Sequence, residues 1–127
     1  MIIKRYSEEH VWAAFEDGIA TIGITVHAAK ELGDITYVEV PELKAKYAQD
    51  DPLCVIESVK AASDVFAPVG GTVSEANARL DSDPGLINQS PEKDGWICRF
   101  KDVDAAEMKT LMTEEEYEEF VAGTKKR

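Results

Sequence analysis

Cysteine, histidine and basic charge are all scarce in this chain, and each shortage closes off a class of function. Cys54 and Cys98 are the two cysteines; they form no C-x-x-C pair and each sits inside a short apolar run. They are expected as buried reduced thiols, because an isolated cysteine packs as a small hydrophobe, and nothing in the spacing supports a disulfide. The two histidines, His10 and His27, have no H-x-x-x-H spacing, so no metal site is expected. Lys and Arg number 14 against 25 Asp and Glu, a formal charge of -11. Phosphate backbones and anionic membrane surfaces are bound through Lys and Arg, which argues against nucleic acid and membrane as partners. Apolar runs stop after a few residues, too short to cross a bilayer. Met1, Ile2, Ile3, Lys4 and Arg5 lack the apolar core of a signal peptide, and the chain reads as cytoplasmic. Were the source eukaryotic, a removed targeting segment would place it in the mitochondrial matrix.

With 127 residues the chain is expected to form one domain, 1–127, large enough for a modest core. Alternation and turn residues mark residues 6–12, 13–15 and 19–24 as early strands, the last two joined at Glu16-Asp17-Gly18. Thr25 suits an N-cap, and residues 26–32 read as a short helix ended by Gly33. Residues 34–41 follow as a strand closed by Pro41, with Thr36, Val38 and Val40 on one face and Ile35, Tyr37 and Glu39 on the other. Residues 72–76 and 96–100 are further strands, separated by a stretch, 77–85, read as loop or one helical turn. The segment at about 104–122 is helical: Asp104 and Thr113 are caps, and Thr113 with Glu116 fits a capping box. Met108, Leu111, Met112, Tyr117, Phe120 and Val121 recur at helical spacing, a stripe that reads as core packing and closes near Gly123. Many short strands between Gly and Pro turns predict a mainly β sandwich or barrel.

Between these elements stands the segment ESVKAASD, with Lys60 centred between Leu53, Val55 and Ile56 on one side and Val65, Phe66 and Ala67 on the other. Two short strands with the lysine at their tip follow from the alternation. Read by spacing alone, such a lysine is simply solvated. The small residues Ala61 and Ala62 and the flanking carboxylates Glu57 and Asp64 also fit a lysine presented for acylation by another enzyme.

The wording of this segment resembles the lipoylation site of glycine cleavage system H proteins, where lipoate is joined to the lysine as an amide. Biotin carriers set methionines on both sides of their lysine; Val59 and Ala61 stand there instead, which disfavours biotin. Upstream, EEHVW at residues 8–12 and GITVHAAKELGDITYVEVPE at 23–42 are similar to the family's N-terminal motif and its helix and strand. Downstream, PVGGTVSEANARL, DPGLIN and GWI place Pro68, Gly71, Asn77, Leu80, Pro84, Leu86, Asn88, Pro91, Gly95 and Trp96 where the family has them. The likeness runs in register from about residue 6 to residue 120, and separated motifs in the right order carry far more weight than a lone VKA.

The resemblance implies a barrel-sandwich hybrid of two small antiparallel sheets, like other lipoyl and biotinyl carriers, with a short helix after the early strands. It implies a lipoyl carrier of the glycine cleavage system, a monomer that is not itself an enzyme and has no catalytic residue or metal. Lipoyl-Lys60 would carry an aminomethyl group from a pyridoxal-phosphate glycine decarboxylase to an aminomethyltransferase, and electrons to dihydrolipoamide dehydrogenase. Glu57 and Asp64 are then candidates for recognition by the lipoylating enzyme or for contact with the arm, and Ser58, Val59 and Ala61 for turn shape and access. His10 and His27 read as packing or surface histidines, with His27 also a candidate to cap or line the arm's groove.

Three positions depart from the family pattern. Val11 stands where a glutamate is usual between the histidine and tryptophan of the N-terminal motif, and a valine cannot balance an ammonium. Lys44 replaces a usual glycine and Glu92 a usual tyrosine, both read as changes in surface turns. Two alternatives therefore stay open: a diverged lipoyl carrier serving lipoyl relay or sulfur metabolism, and an unmodified β-domain used as an interaction module.

Overall fold

The computed structural model describes residues 1–125, and residues 126–127 lie outside that range. Its chain order is β1 (Ile3–Tyr6), β2 (Val11–Glu16), β3 (Ile19–Ile24), α1 (Val26–Leu32), β4 (Ile35–Val38) and β5 (Lys46–Tyr47), followed by β6 (Pro52–Ser58), β7 (Ala62–Phe66) and β8 (Gly71–Ala76). Then come α2 (Arg79–Ser82), α3 (Leu86–Gln89), β9 (Cys98–Lys101), α4 (Ala105–Met108) and α5 (Glu114–Lys125). Two antiparallel sheets result, one ordered β1-β2-β3-β9-β8-β5 and one ordered β4-β6-β7. This is the mainly β barrel-sandwich architecture expected. Phe100, Ile22, Ile56, Leu80, Ile87 and Ile97 are fully buried in the main apolar core, which draws on both sheets.

Helix α1 forms where its signals lie. Thr25 Oγ1 accepts from the Ala28 amide, and Gly33 ends the helix at φ 77, a value that favours a residue without a Cβ. The capping box at Thr113 is also present: Thr113 N donates to Glu116 Oε1 and Glu116 N donates to Thr113 Oγ1. Asp104 caps α4 through the Ala106 amide.

Three local expectations need correction. Residues 6–12 are not one strand, because β1 stops at Tyr6 and the chain turns through His10, whose φ of 65 is incompatible with a strand. Strand β4 does not alternate as predicted: a register shift between Ile35 and Tyr37 leaves Thr36 extra, so Ile35 and Val38 are both buried. The stretch 77–85 needs none: it holds the four-residue helix Arg79–Ser82, the single helical turn that is one of its two readings. Helix α5 runs past Gly123 to Lys125, a glycine inside a helix being a cost rather than a stop.

Tyr6, Trp12 and Tyr117 build a second apolar cluster between α5 and the six-stranded sheet, joined by Trp96, Met112 and Phe120. The Trp12 indole also lies over Gly23, where a Cβ would approach within 2.8 Å, so β3 needs a glycine there. Cys54 and Cys98 are buried free thiols, as expected; burial pushes Cys54 up to about 12 and Cys98 higher still, so both stay protonated and unreactive.

Candidate functional site

Lys60 occupies the tip of the β6–β7 hairpin, and it is exposed. The tip is stitched by one hydroxyl. Ser58 Oγ accepts from the Lys60 amide at 3.2 Å and from the Ala61 amide at 3.2 Å, and donates to the Ala61 carbonyl at 3.1 Å. Ser58 N also donates to Ala61 O at 2.8 Å, which closes the turn. The whole turn is held to the body by Val59 N, which donates to Asp34 O at 3.0 Å. The backbone around Lys60 is therefore fixed while its side chain remains reachable.

The two flanking carboxylates differ in placement. Glu57 lies opposite Tyr37 and Ala62, with an exposed side chain on the three-stranded sheet. Asp64, opposite Val55, is exposed as well, and lines a groove beside the hairpin. Among the described residues neither forms an ion pair, so both are free to meet a partner's cations. Val59, 67 % exposed, and Ala61 complete the surface around the lysine.

The groove has a volume of about 510 Å³ and runs between α1 and the second strand of the lysine hairpin. Its walls include Val11, Ile24, Leu32, Ile56, Val65 and Phe66, with His10, His27, Glu31 and Asp64 adding polarity. His27 is thus among its lining residues. Val11 is fully buried, so this wall is aliphatic where a carboxylate would otherwise face the groove.

Behind the groove lies a chain of contacts that sequence reasoning missed. His10 Nδ1 is 2.7 Å from the Tyr117 hydroxyl, which is 2.8 Å from Thr25 Oγ1. The His10 and His27 rings are 4.7 Å apart, and His27 Nε2 is 3.6 Å from Glu31 Oε1. Burial, reinforced by His27, holds the His10 pKa below the usual histidine value, and burial raises that of Tyr117. A neutral His10 accepting from Tyr117, which in turn accepts from Thr25, satisfies all three groups. Tyr117 had been legible only as part of an apolar stripe, since no spacing rule points from residue 117 to residue 10.

Glu92 is more than a surface turn. Its carboxylate receives Lys4 Nζ at 2.7 Å, the Tyr6 hydroxyl at 3.4 Å and the Val26 amide at 2.9 Å, tying β1 to the first turn of α1. Burial first, and then Glu92 and Glu114, push the Tyr6 phenol far above its ordinary range. Lys44, the other departure, adopts φ 71, the conformation for which glycine is usual. Among the described residues no cluster of three or more metal-ligating side chains occurs.

Comparison with known proteins matches residues 4–124 to the family model described as glycine cleavage H-protein. The glycine cleavage system H protein of Thermotoga maritima is 43% identical over 122 residues, covering 96% of this chain and 98% of that protein. That of Bacillus velezensis is 48% identical over 115 residues, covering 91% of each. A crystal structure of a glycine cleavage system H protein from Mycobacterium marinum superposes with a TM-score of 0.83 at 28% identity, covering 98% of this chain and 97% of that one.

Proposed function

The chain belongs to the glycine cleavage H-protein family, and from that premise we propose that it is a lipoyl carrier whose attachment point is Lys60. The observation that carries the assignment is the lysine's setting: an exposed amine on a turn fixed by Ser58 and by the Val59 to Asp34 bond, with a groove of mixed apolar and polar lining beside the hairpin. These features fit lipoate. An amide at Nζ removes the lysine charge, and the apolar side chains of the groove, Val11, Ile24, Leu32, Ile56, Val65 and Phe66, can pack against an eight-carbon acyl chain.

Lipoate attached there supplies a dithiolane that takes up a carbon fragment together with two electrons. The chain's own part is to hold the arm's base at a defined place, offer Glu57 and Asp64 to basic partner surfaces, and shelter the arm. No residue of the chain is asked to make or break a bond. It acts as one non-catalytic carrier domain, monomeric, that takes an aminomethyl group from glycine decarboxylase to aminomethyltransferase and electrons to dihydrolipoamide dehydrogenase. The strong negative charge suits association with basic patches on those enzymes. We place it with them in the cytoplasm.

Val11 favours one second reading. Val11 offers no carboxylate at its own point of the groove, so a cationic arm would have to be balanced by Glu9, Glu31 or Asp64, which also line it; a lipoyl carrier diverted to lipoyl relay or to sulfur-containing cargo would not need that balance.

Intact-mass analysis of protein made with an active lipoylating enzyme tests the carrier itself. A lipoyl adduct absent from Lys60→Ala is expected; an unmodified wild-type chain would leave only the interaction-module reading. Exchange of labelled bicarbonate into glycine, driven by lipoylated protein with glycine decarboxylase, then separates the two carrier readings, because the diverted one predicts no exchange.

A further inference from the structure

Three successive residues, Gly33, Asp34 and Ile35, form the surface on which the lysine turn rests. Gly33 has φ 77, and a Cβ on it would meet Lys60 Cε at 3.3 Å and Cδ at 3.7 Å, so the lysine stem crosses the bare glycine. Asp34 supplies the carbonyl that receives Val59 N, one residue before the lysine. Asn88 holds both neighbours of Asp34: Nδ2 donates to Gly33 O at 2.8 Å, and Oδ1 accepts from Ile35 N at 2.9 Å. Asn88 belongs to α3, which is anchored in the core by the buried Leu86 and Ile87.

We propose that Asn88 is a positioning residue for acylation of Lys60, acting through residues 33–35 to fix where the lysine turn sits on the body. The proposal rests on the lipoyl-carrier reading. Ser58 fixes the turn's internal shape but not its orientation relative to the rest of the molecule. The pairing of β6 with β4 carries the hairpin as a whole, and at the tip the orientation depends on the Asp34 carbonyl, whose direction is set by the two peptide groups that Asn88 clamps. An acylating enzyme that reads the hairpin and its flanking carboxylates must otherwise select one orientation from many, which raises the concentration needed for productive binding.

The acylation itself leaves Asn88 untouched. The deprotonated Nζ of Lys60 attacks the carbonyl carbon of a lipoyl–phosphate mixed anhydride. The C–N bond forms, the bond from that carbon to the phosphate oxygen breaks, and the nucleotide phosphate departs with the electron pair. The two protons lost from the ammonium pass to solvent, and no oxidation state changes.

A plain capping role for Asn88 at the end of α1 makes a different prediction, and the difference is measurable. Asn88→Ala and the milder Asn88→Ser would be compared with wild type using an ATP-dependent lipoate ligase, alongside uncatalysed acetylation of Lys60 by a small acyl reagent. Two lost hydrogen bonds at an exposed site are expected to raise the ligase KM for this protein about fivefold to tenfold, with kcat within about twofold. Acetylation by the small reagent stays unchanged, and hydrogen exchange of the Val59 amide becomes faster. An unchanged KM in folded variants, or a fall confined to kcat with no change at Val59, overturns the proposal. Failure of wild type to accept lipoate in the same assay instead overturns the carrier reading, so the two failures are distinguishable.

Discussion

The Tyr117 hydroxyl lies 2.7 Å from His10 Nδ1, which joins the C-terminal helix directly to the wall of the groove beside the lysine hairpin. The same hydroxyl meets Thr25, the cap of α1, at 2.8 Å, so one atom ties α5 both to the turn between β1 and β2 and to the start of α1. Tyr117→Phe keeps the ring stacked on Tyr6 but leaves His10 and Thr25 short of a partner. A loss of about 1–3 kcal/mol is expected, because buried polar groups that lose a partner keep their desolvation cost. Urea unfolding measures it, and a change within experimental error would mean that water replaces the hydroxyl freely.

The depressed pKa of His10 fixes the sign of a pH effect. Burial and the neighbouring His27 disfavour the imidazolium in the folded state, whereas the unfolded chain protonates His10 near its ordinary value of 6.5. Below that value the unfolded state binds more protons, so the His10 contribution to stability is complete above about pH 6.5 and falls as the pH drops toward the folded-state value. Glu9 and Glu31 act in the opposite sense, but as lesser influences. His10→Asn, a residue that tolerates the φ of 65, should flatten the slope of unfolding free energy between pH 7.5 and 5.5. An equally steep slope in the variant would assign the effect elsewhere.

These two predictions concern contacts that the sequence did not disclose, and the reason is physical. Helix α1 was legible because a cap at Thr25, a helical apolar pattern and Gly33 all act within a few residues of one another. The lysine hairpin was legible for the same reason, through alternation on both sides of Lys60. The meeting of residue 117 with residue 10 is set by how α5 lies on the sheet, which no local pattern encodes. The inward turn of both Ile35 and Val38 likewise depends on a bulge opposite β6, where the Thr36 hydroxyl donates to Glu57 O at 3.2 Å. Alternation assumes an unbroken register, and a single extra residue reverses it.

Glu92 offers a test of a residue whose importance only packing reveals. Its carboxylate serves Lys4, Tyr6 and the Val26 amide at once, in a half-buried position. Lys4 also lies over the Trp12 ring at 5.1 Å, so the ammonium stays partly balanced when its partner is removed. Glu92→Ala is therefore expected to cost about 1–3 kcal/mol, chiefly from the Val26 amide and from the Tyr6 phenol, which keeps only its 3.5 Å contact to Glu114, and Lys4→Met less. Thermal and chemical denaturation of both variants check the order; a greater loss for Lys4→Met would point to the ion pair instead.

Val11 gives the sharpest separation between stability and function. It is fully buried against the groove and pairs with Ile24 across β2 and β3. Val11→Glu would place a carboxylate on an aliphatic wall, where desolvation works against ionisation and raises its pKa. The unmodified variant is expected to lose about 2–4 kcal/mol relative to wild type at neutral pH. A cationic arm would reverse part of that cost, since an ammonium beside the carboxylate compensates both charges at once. The stability difference between Val11→Glu and wild type should accordingly shrink when Lys60 carries an amine-tipped acyl chain, and stay the same with a neutral octanoyl chain. Unfolding curves for the four modified proteins decide the matter. An equal deficit with both chains would mean that the groove does not receive the tip of the arm, and that Val11 has no bearing on which cargo is sheltered.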